Sequence, residues 1–173
     1  MVTAVVVPLL VVLLVLARLG GDDDAAPVTV SGPTGSGQGG SSTLDVKTPP
    51  VTPAADAACP ELMTNLPTEL AGQQFRHVRS ATPYAYAWGD PPVVLRCGVD
   101  RPSGWVVGAM AYQLGGVSWF VDDSDPDSFV YTAVDRAVYI EVTVPSTIDS
   151  TPVNALGTIV AAHVAAQEPQ PGP

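Results

Sequence analysis

Hydrophobic positions along this chain fall into three regimes. Residues 2–17 read VTAVVVPLLVVLLVLA, an aliphatic run interrupted only at Thr3 and Pro8 and closed by Arg18. At about 1.5 Å per helical residue it spans roughly 24–27 Å, slightly short of the ~30 Å hydrocarbon layer. No basic n-region precedes it and no clear A-x-A cleavage site follows in ARLGGDDDAAP. The expectation is an uncleaved membrane anchor over residues 1–19, with a cleaved signal and secretion as the alternative and an internal core helix as a third reading. The absent basic segment points to a true start farther upstream.

Residues 20–56 carry no hydrophobic period. They are rich in Gly, Pro, Ser, Thr and Asp, with SGPTGSGQGGSST at the centre and KTPPVTPAAD at the end. This composition predicts a disordered tether. A flexible coil of that length reaches roughly 30–35 Å.

Periodicity returns over residues 57–167. The segment CPELMTNLPTEL predicts a short helix, with Pro60 in its first turn, Glu61 at its positive end and Pro67 as its stop. Strands are predicted at QFRHVRS, YAYAW, VVLRCGV, GGVSWFVD, FVYTAV and AVYIEVTV, separated by Pro, Gly and Asp. In the last of these Val138, Ile140, Val142 and Val144 alternate with Ala137, Tyr139, Glu141 and Thr143, so one face is buried. In VVLRCGV the same period puts Val93, Leu95, Cys97 and Val99 on one face and Val94, Arg96 and Gly98 on the other. Ser150 or Thr151 can cap a final helix with Pro152 in its first turn, and Val153, Leu156, Ile159, Val160, His163 and Val164 form its stripe. The fold expected is α+β: one small domain, an antiparallel sheet with a short N-terminal helix and a C-terminal helix packed on one face. Residues 168–173, EPQPGP with Glu168 first, read as a disordered tail.

Charge narrows the partners. The net charge is −10 at pH 7, and Lys47 is the only lysine. A nucleic-acid interface therefore has no cationic footprint, and acidic lipid is disfavoured as an electrostatic partner. Cys59 and Cys97, the two cysteines, have no C-x-x-C or zinc-ligand spacing. Behind an export or anchor segment they read as a disulfide worth on the order of 4 kcal/mol by chain entropy. Two buried free thiols in a reducing compartment are the alternative.

Candidate chemistry is sparse. Asp123, Asp125 and Asp127 alternate like the first ligands of a calcium loop, but Pro126 interrupts them, Ser128 replaces the turn glycine and Val134 replaces the bidentate Glu. They remain weak metal candidates on an acidic hairpin loop, and no cofactor is indicated. Ser118 lacks the second glycine of a nucleophile elbow, and His77 and His163 sit in a strand and on a helix stripe. Arg96 faces away from the core, where Asp90, Asp100, Glu141 or a ligand can meet it. Trp88, Trp105 and Trp119 with Tyr84, Tyr86 and Tyr112 supply aromatic area for a core or an interface. The candidate binding surface is Trp88, Asp90, Arg96 and Arg101.

Three segments, ACPELMTNLPTELAG, AWGDPPVVLRCGVDRP and GVSWF followed by DRAVYIEVTVP, resemble the actinobacterial domain of unknown function 3515 family. The resemblance covers essentially the whole periodic region. It implies a membrane-anchored or secreted envelope protein with a disulfide-compatible cysteine pair, and it implies no catalytic residues. The functional expectation is a non-enzymatic, membrane-tethered extracytoplasmic module that binds an envelope protein or a cell-wall component. The alternatives are an envelope hydrolase or carbohydrate-active enzyme, and a structural accessory subunit of a membrane complex.

Overall fold

A computed structural model describes residues 42–173. The expected anchor, and the tether up to residue 41, lie outside the described residues. The elements are β1 (Leu44–Asp45), α1 (Pro53–Thr64), β2 (Glu69–Leu70), β3 (Gln73–Arg76), β4 (Val78–Arg79), β5 (Ala85–Trp88), β6 (Val93–Val99), β7 (Ala111–Leu114), β8 (Val117–Asp122), β9 (Ser128–Ala133), β10 (Tyr139–Pro145) and α2 (Thr151–His163). Eight strands make an antiparallel sheet in the order β2-β3-β5-β6-β10-β9-β8-β7, and β1 pairs in parallel with β4. Among the described residues no helix is long and apolar enough to cross a membrane.

The architecture is α+β, as the periodicities require. Val93, Leu95, Ile140, Val142 and Val144 are buried with Val117 and Trp119 in one cluster, which Cys59 and Leu62 of α1 and Val153, Leu156 and Val160 of α2 complete. Both helices therefore cover the same face of the sheet. Cys59 and Cys97 form a disulfide with Cα atoms 5.8 Å apart, which ties α1 to the central strand β6. Tyr84 adds a second tie, its hydroxyl donating to Asp56 Oδ1 at 2.7 Å, and that hydrogen bond raises the phenol's pKa.

Four local expectations are corrected. The first helix begins at Pro53, and Pro60 lies inside it. Thr52 Oγ1 accepts from Ala55 N at 3.1 Å and Pro53 takes the first helical position, so the Pro-rich end of the expected tether supplies the cap. Ordered structure thus reaches back past residue 57. Residues 42–51 lie along the sheet, with Leu44 N donating to His77 O and Val46 N to Arg79 O.

The strict alternation of VVLRCGV stops at Gly98. Tyr139 pairs with Val99 and Ile140 with Cys97, which leaves Gly98 as a bulge with φ +81. The bulge admits α1: a β-carbon there would stand 2.6 Å from Ala55 Cβ. Val99 is consequently only half-buried.

The second helix is capped by neither Ser150 nor Thr151 through a side chain. Asp149 Oδ1 accepts from Thr151 N at 2.9 Å, which lowers the Asp149 pKa.

The C-terminal residues 168–173, finally, are docked. Gly172 N donates to Trp105 O at 2.8 Å and Val107 N to Gly172 O at 3.0 Å. A proline-rich segment has few backbone donors, so this single glycine carries the pairing, and its bare Cα packs against the Arg101 guanidinium.

Candidate functional site

The four residues expected to form a binding surface are separated. Trp88 is fully buried and donates Nε1–H to Pro67 O at 2.8 Å, so it belongs to the core and cannot meet a partner. Asp90 pairs with Arg76 at 3.2 Å, and that buried guanidinium also donates to Ser42 O and Ser42 Oγ, each at 3.2 Å. Arg96 lies directly across from Glu141 in the β6–β10 ladder and donates to its Oε1 from Nε at 3.0 Å and from Nη2 at 2.5 Å. Its remaining nitrogen, Nη1, donates to Lys47 O at 2.8 Å. Arg101 packs on Gly172. Arg76 and Arg96 therefore pin residues 42–47, and Arg101 the C-terminal segment, against the domain. Arg76 escaped sequence reasoning because nothing in QFRHVRS tells a pinning arginine from a solvated one.

The other candidates are equally dispersed. Ser118 Oγ is hydrogen-bonded by Gln113 Nε2 at 2.5 Å, while His163 Nδ1 faces Glu61 Oε1 at 3.3 Å and His77 meets the Phe75 ring edge. Asp125 accepts from Asp127 N and from Ser128 Oγ, each at 3.0 Å, so it closes its own turn. Among the described residues no three His, Cys, Asp or Glu converge to hold a metal ion. Trp105 and Trp119 join Trp88 in burial, and of the six aromatic candidates Tyr112 alone is strongly exposed.

Tyr112 leads to a different surface. The loop before β7 and the strand itself expose Val107 (76%), Met110 (67%) and Tyr112 (51%). Beside them opens a cleft of about 540 Å³, walled by Leu114, Phe129 and Tyr131, with Asp123 and Ser150 at its rim. Burial raises the pKa of the Tyr131 phenol at that wall.

β7 is the last strand of the sheet, and its pairing fixes which groups are free. It joins β8 through Gly115 and Gly116, with φ values of +58 and +80, the left-handed pair that a two-residue hairpin turn requires. Leu114 and Val117 flank the turn and form its hydrogen-bonded pair, and Tyr112 with Trp119 forms the next. The backbone N–H and C=O of Ala111 and Gln113 consequently point away from β8. Both residues are exposed, and among the described residues no backbone partner meets those groups. Sequence reasoning passed over this strand because AYQL is short and follows GWVVGAM, where apolar residues neither alternate nor recur at helical spacing.

No curated protein and no solved structure matches the chain. Residues 3–169 match the model of one family, described as "Protein of unknown function (DUF3515)". That match covers the disulfide-tied sheet and both helices, and the chain belongs to the DUF3515 family.

Proposed function

We propose that this protein is a binding module, not an enzyme, held at the cell envelope by its N-terminal apolar segment with the domain outside the cytoplasm. The observation that carries the binding role is the open end of the sheet, where Val107, Met110 and Tyr112 are exposed beside a cleft with aliphatic and aromatic walls and a few polar groups. Large apolar side chains exposed together beside a cleft are a signature of an interaction site. The Cys59–Cys97 disulfide supports an oxidising compartment, and the run at residues 2–17 supports attachment.

An envelope protein is the favoured partner over a cell-wall glycan. Sugar recognition relies on converging hydroxyl, amide and carboxylate groups around an aromatic platform, and here the polar side chains are Asp123, Ser150 and the hydroxyls of Tyr112 and Tyr131, with no side-chain amide or cationic donor among the described residues along an otherwise aliphatic and aromatic wall. A protein segment offers the matching apolar side chains.

The test is a photo-crosslinking amino acid at Met110 of the full chain in its native membrane, with the same group at Glu69 on the opposite sheet edge as control. A protein adduct from position 110 and none from position 69 is expected. Adducts to glycan or lipid alone, or equal protein adducts from both positions, overturn the proposal.

A further inference from the structure

Resting on the binding reading above, we infer that the partner docks as an extended segment: it adds a strand to β7 through Ala111 and Gln113, lays alternate apolar side chains into the Tyr112–Leu114 cleft and sets a lysine or arginine against Asp123.

Three observations carry this. The first is the unpaired ladder. Ala111 and Gln113 each present an outward N–H and C=O, the pattern that a partner strand satisfies with four main-chain hydrogen bonds. Sheet edges in isolated domains are usually blunted by lysine, proline or a bulge, and β7 carries none of these.

The second is the disposition of side chains. Because neighbours across a ladder share a face, a residue opposite Tyr112 or Leu114 points toward the cleft and its flanking residues point to the other face. The cleft takes apolar groups, walled as it is by Phe129, Tyr131 and Leu114. A helix laid in the same place would leave the four ladder groups unpaired.

The third is charge. No lysine or arginine occurs between Arg101 and Arg136, whereas Asp122, Asp123, Asp125 and Asp127 gather at the far end of β8, and β8 pairs with β7 so that Asp123 stands at the Met110 end of the edge. The same acidic groups disfavour a second copy of this chain as the occupant, since two copies pairing edge to edge would each bring an acidic loop and a net charge of −10.

The experiment uses the full chain in its native membrane with the photo-crosslinker at Met110, combined in turn with Gln113→Pro, Gln113→Ala and Asp123→Lys. Proline removes the outward N–H of residue 113 without touching the bonds to β8, and edge strands accept it. Gln113→Pro is expected to lower the protein adduct at least tenfold, Gln113→Ala to preserve it, and Asp123→Lys to lower it several-fold. Mass spectrometry of the adduct is expected to place the crosslink in a partner segment with alternating apolar residues and a flanking lysine or arginine. Adduct undiminished by Gln113→Pro and by Asp123→Lys, or adduct to a second copy of the chain, overturns strand addition while leaving a protein partner in place. Absence of any protein adduct from the otherwise unsubstituted chain overturns the binding reading itself. Should Gln113→Pro fail to accumulate, Asp123→Lys and the mapped segment decide alone.

Discussion

The two ends of the sheet solve the same edge problem in opposite ways. At the β2–β3–β5 end the edge strand is two residues long, carries Glu69, and continues into strands held by α1, by the disulfide and by residues 42–51 crossing the opposite face. Every arginine there is committed: Arg76 to Asp90 and Ser42, Arg79 to Asp45, Arg96 to Glu141 and Lys47. At the β7 end the edge is longer, uncharged and flanked by the most exposed apolar side chains of the described domain. The β7–β8 turn is tied as well, with Gly115 N donating to Asn154 Oδ1, Arg136 to Gly116 O and Ser118 N to Asp135 Oδ2, but the exposed apolar side chains and the outward ladder groups lie along β7 and the loop before it. Such a division lets an interaction surface remain open without the fold depending on it.

Breaking the braced end should be costly. Replacing Cys59 and Cys97 together by alanine frees a closure of 38 residues, with an expected loss of about 4 kcal/mol read from the denaturation midpoint with and without reductant. An unchanged midpoint would mean that α1 is held by packing alone. Next comes Arg96→Ala, which strands Glu141, only 14% exposed, beside an emptied hollow and releases Lys47 O. It should cost about 2–3 kcal/mol and open residues 43–51 to limited proteolysis. Gly98→Ala follows at about 2 kcal/mol, because φ +81 strains any side chain and Ala55 occupies the space. By contrast Val107→Ser should shift stability by no more than about 0.5 kcal/mol while strongly reducing the protein adduct formed from position 110. Equal losses at the two ends would remove the distinction between brace and surface.

How far this contrast was legible in the sequence depends on the range of the interaction involved. Periods of two and 3.6 located β5, β6, β8, β9, β10 and α2, because Val142 or Leu156 advertises its burial through neighbours a few residues away. The bulge at Gly98 did not show, since it answers to Ala55 on a helix distant in sequence. The start of α1 was hidden by its proline: Thr52 and Pro53 read equally well as linker or as cap and first turn, and the choice rests on Cys59 and Leu62 finding the sheet. The candidate surface was inverted for a related reason. Trp88 and Arg96 drew notice as rare residue types in a dense block, yet their partners, Pro67 and Glu141, come from other strands and loops and absorb their chemistry. Tyr112 and Met110 are ordinary residues whose exposure follows from β7 being last in the sheet, a property of strand order that one sequence does not contain.

The smallest effect sharpens the contrast through acid. Two carboxyls with lowered pKa, Asp122 and Asp149, both stand at the open end, where Asp122 accepts hydrogen bonds from Ser124 and Asp149 accepts from Thr151 at the start of α2. A carboxyl whose folded pKa lies below its unfolded value contributes stability that is complete above the ordinary carboxylate range, near pH 4, and is lost as pH falls through the folded pKa. Protonation should therefore loosen the β8–β9 turn and the first turn of α2, while the disulfide at the braced end does not titrate. Hydrogen exchange on the full chain at pH 3 and pH 6 is expected to show protection falling at residues 117–133 and 151–155 before it falls at residues 85–99. In Asp149→Asn the amide oxygen still caps the helix but neither titrates nor carries charge, so the loss of protection at residues 151–155 between pH 6 and pH 3 should shrink. If that loss is the same in the variant, the acid response of α2 originates elsewhere, and the open end owes none of its stability to this carboxylate.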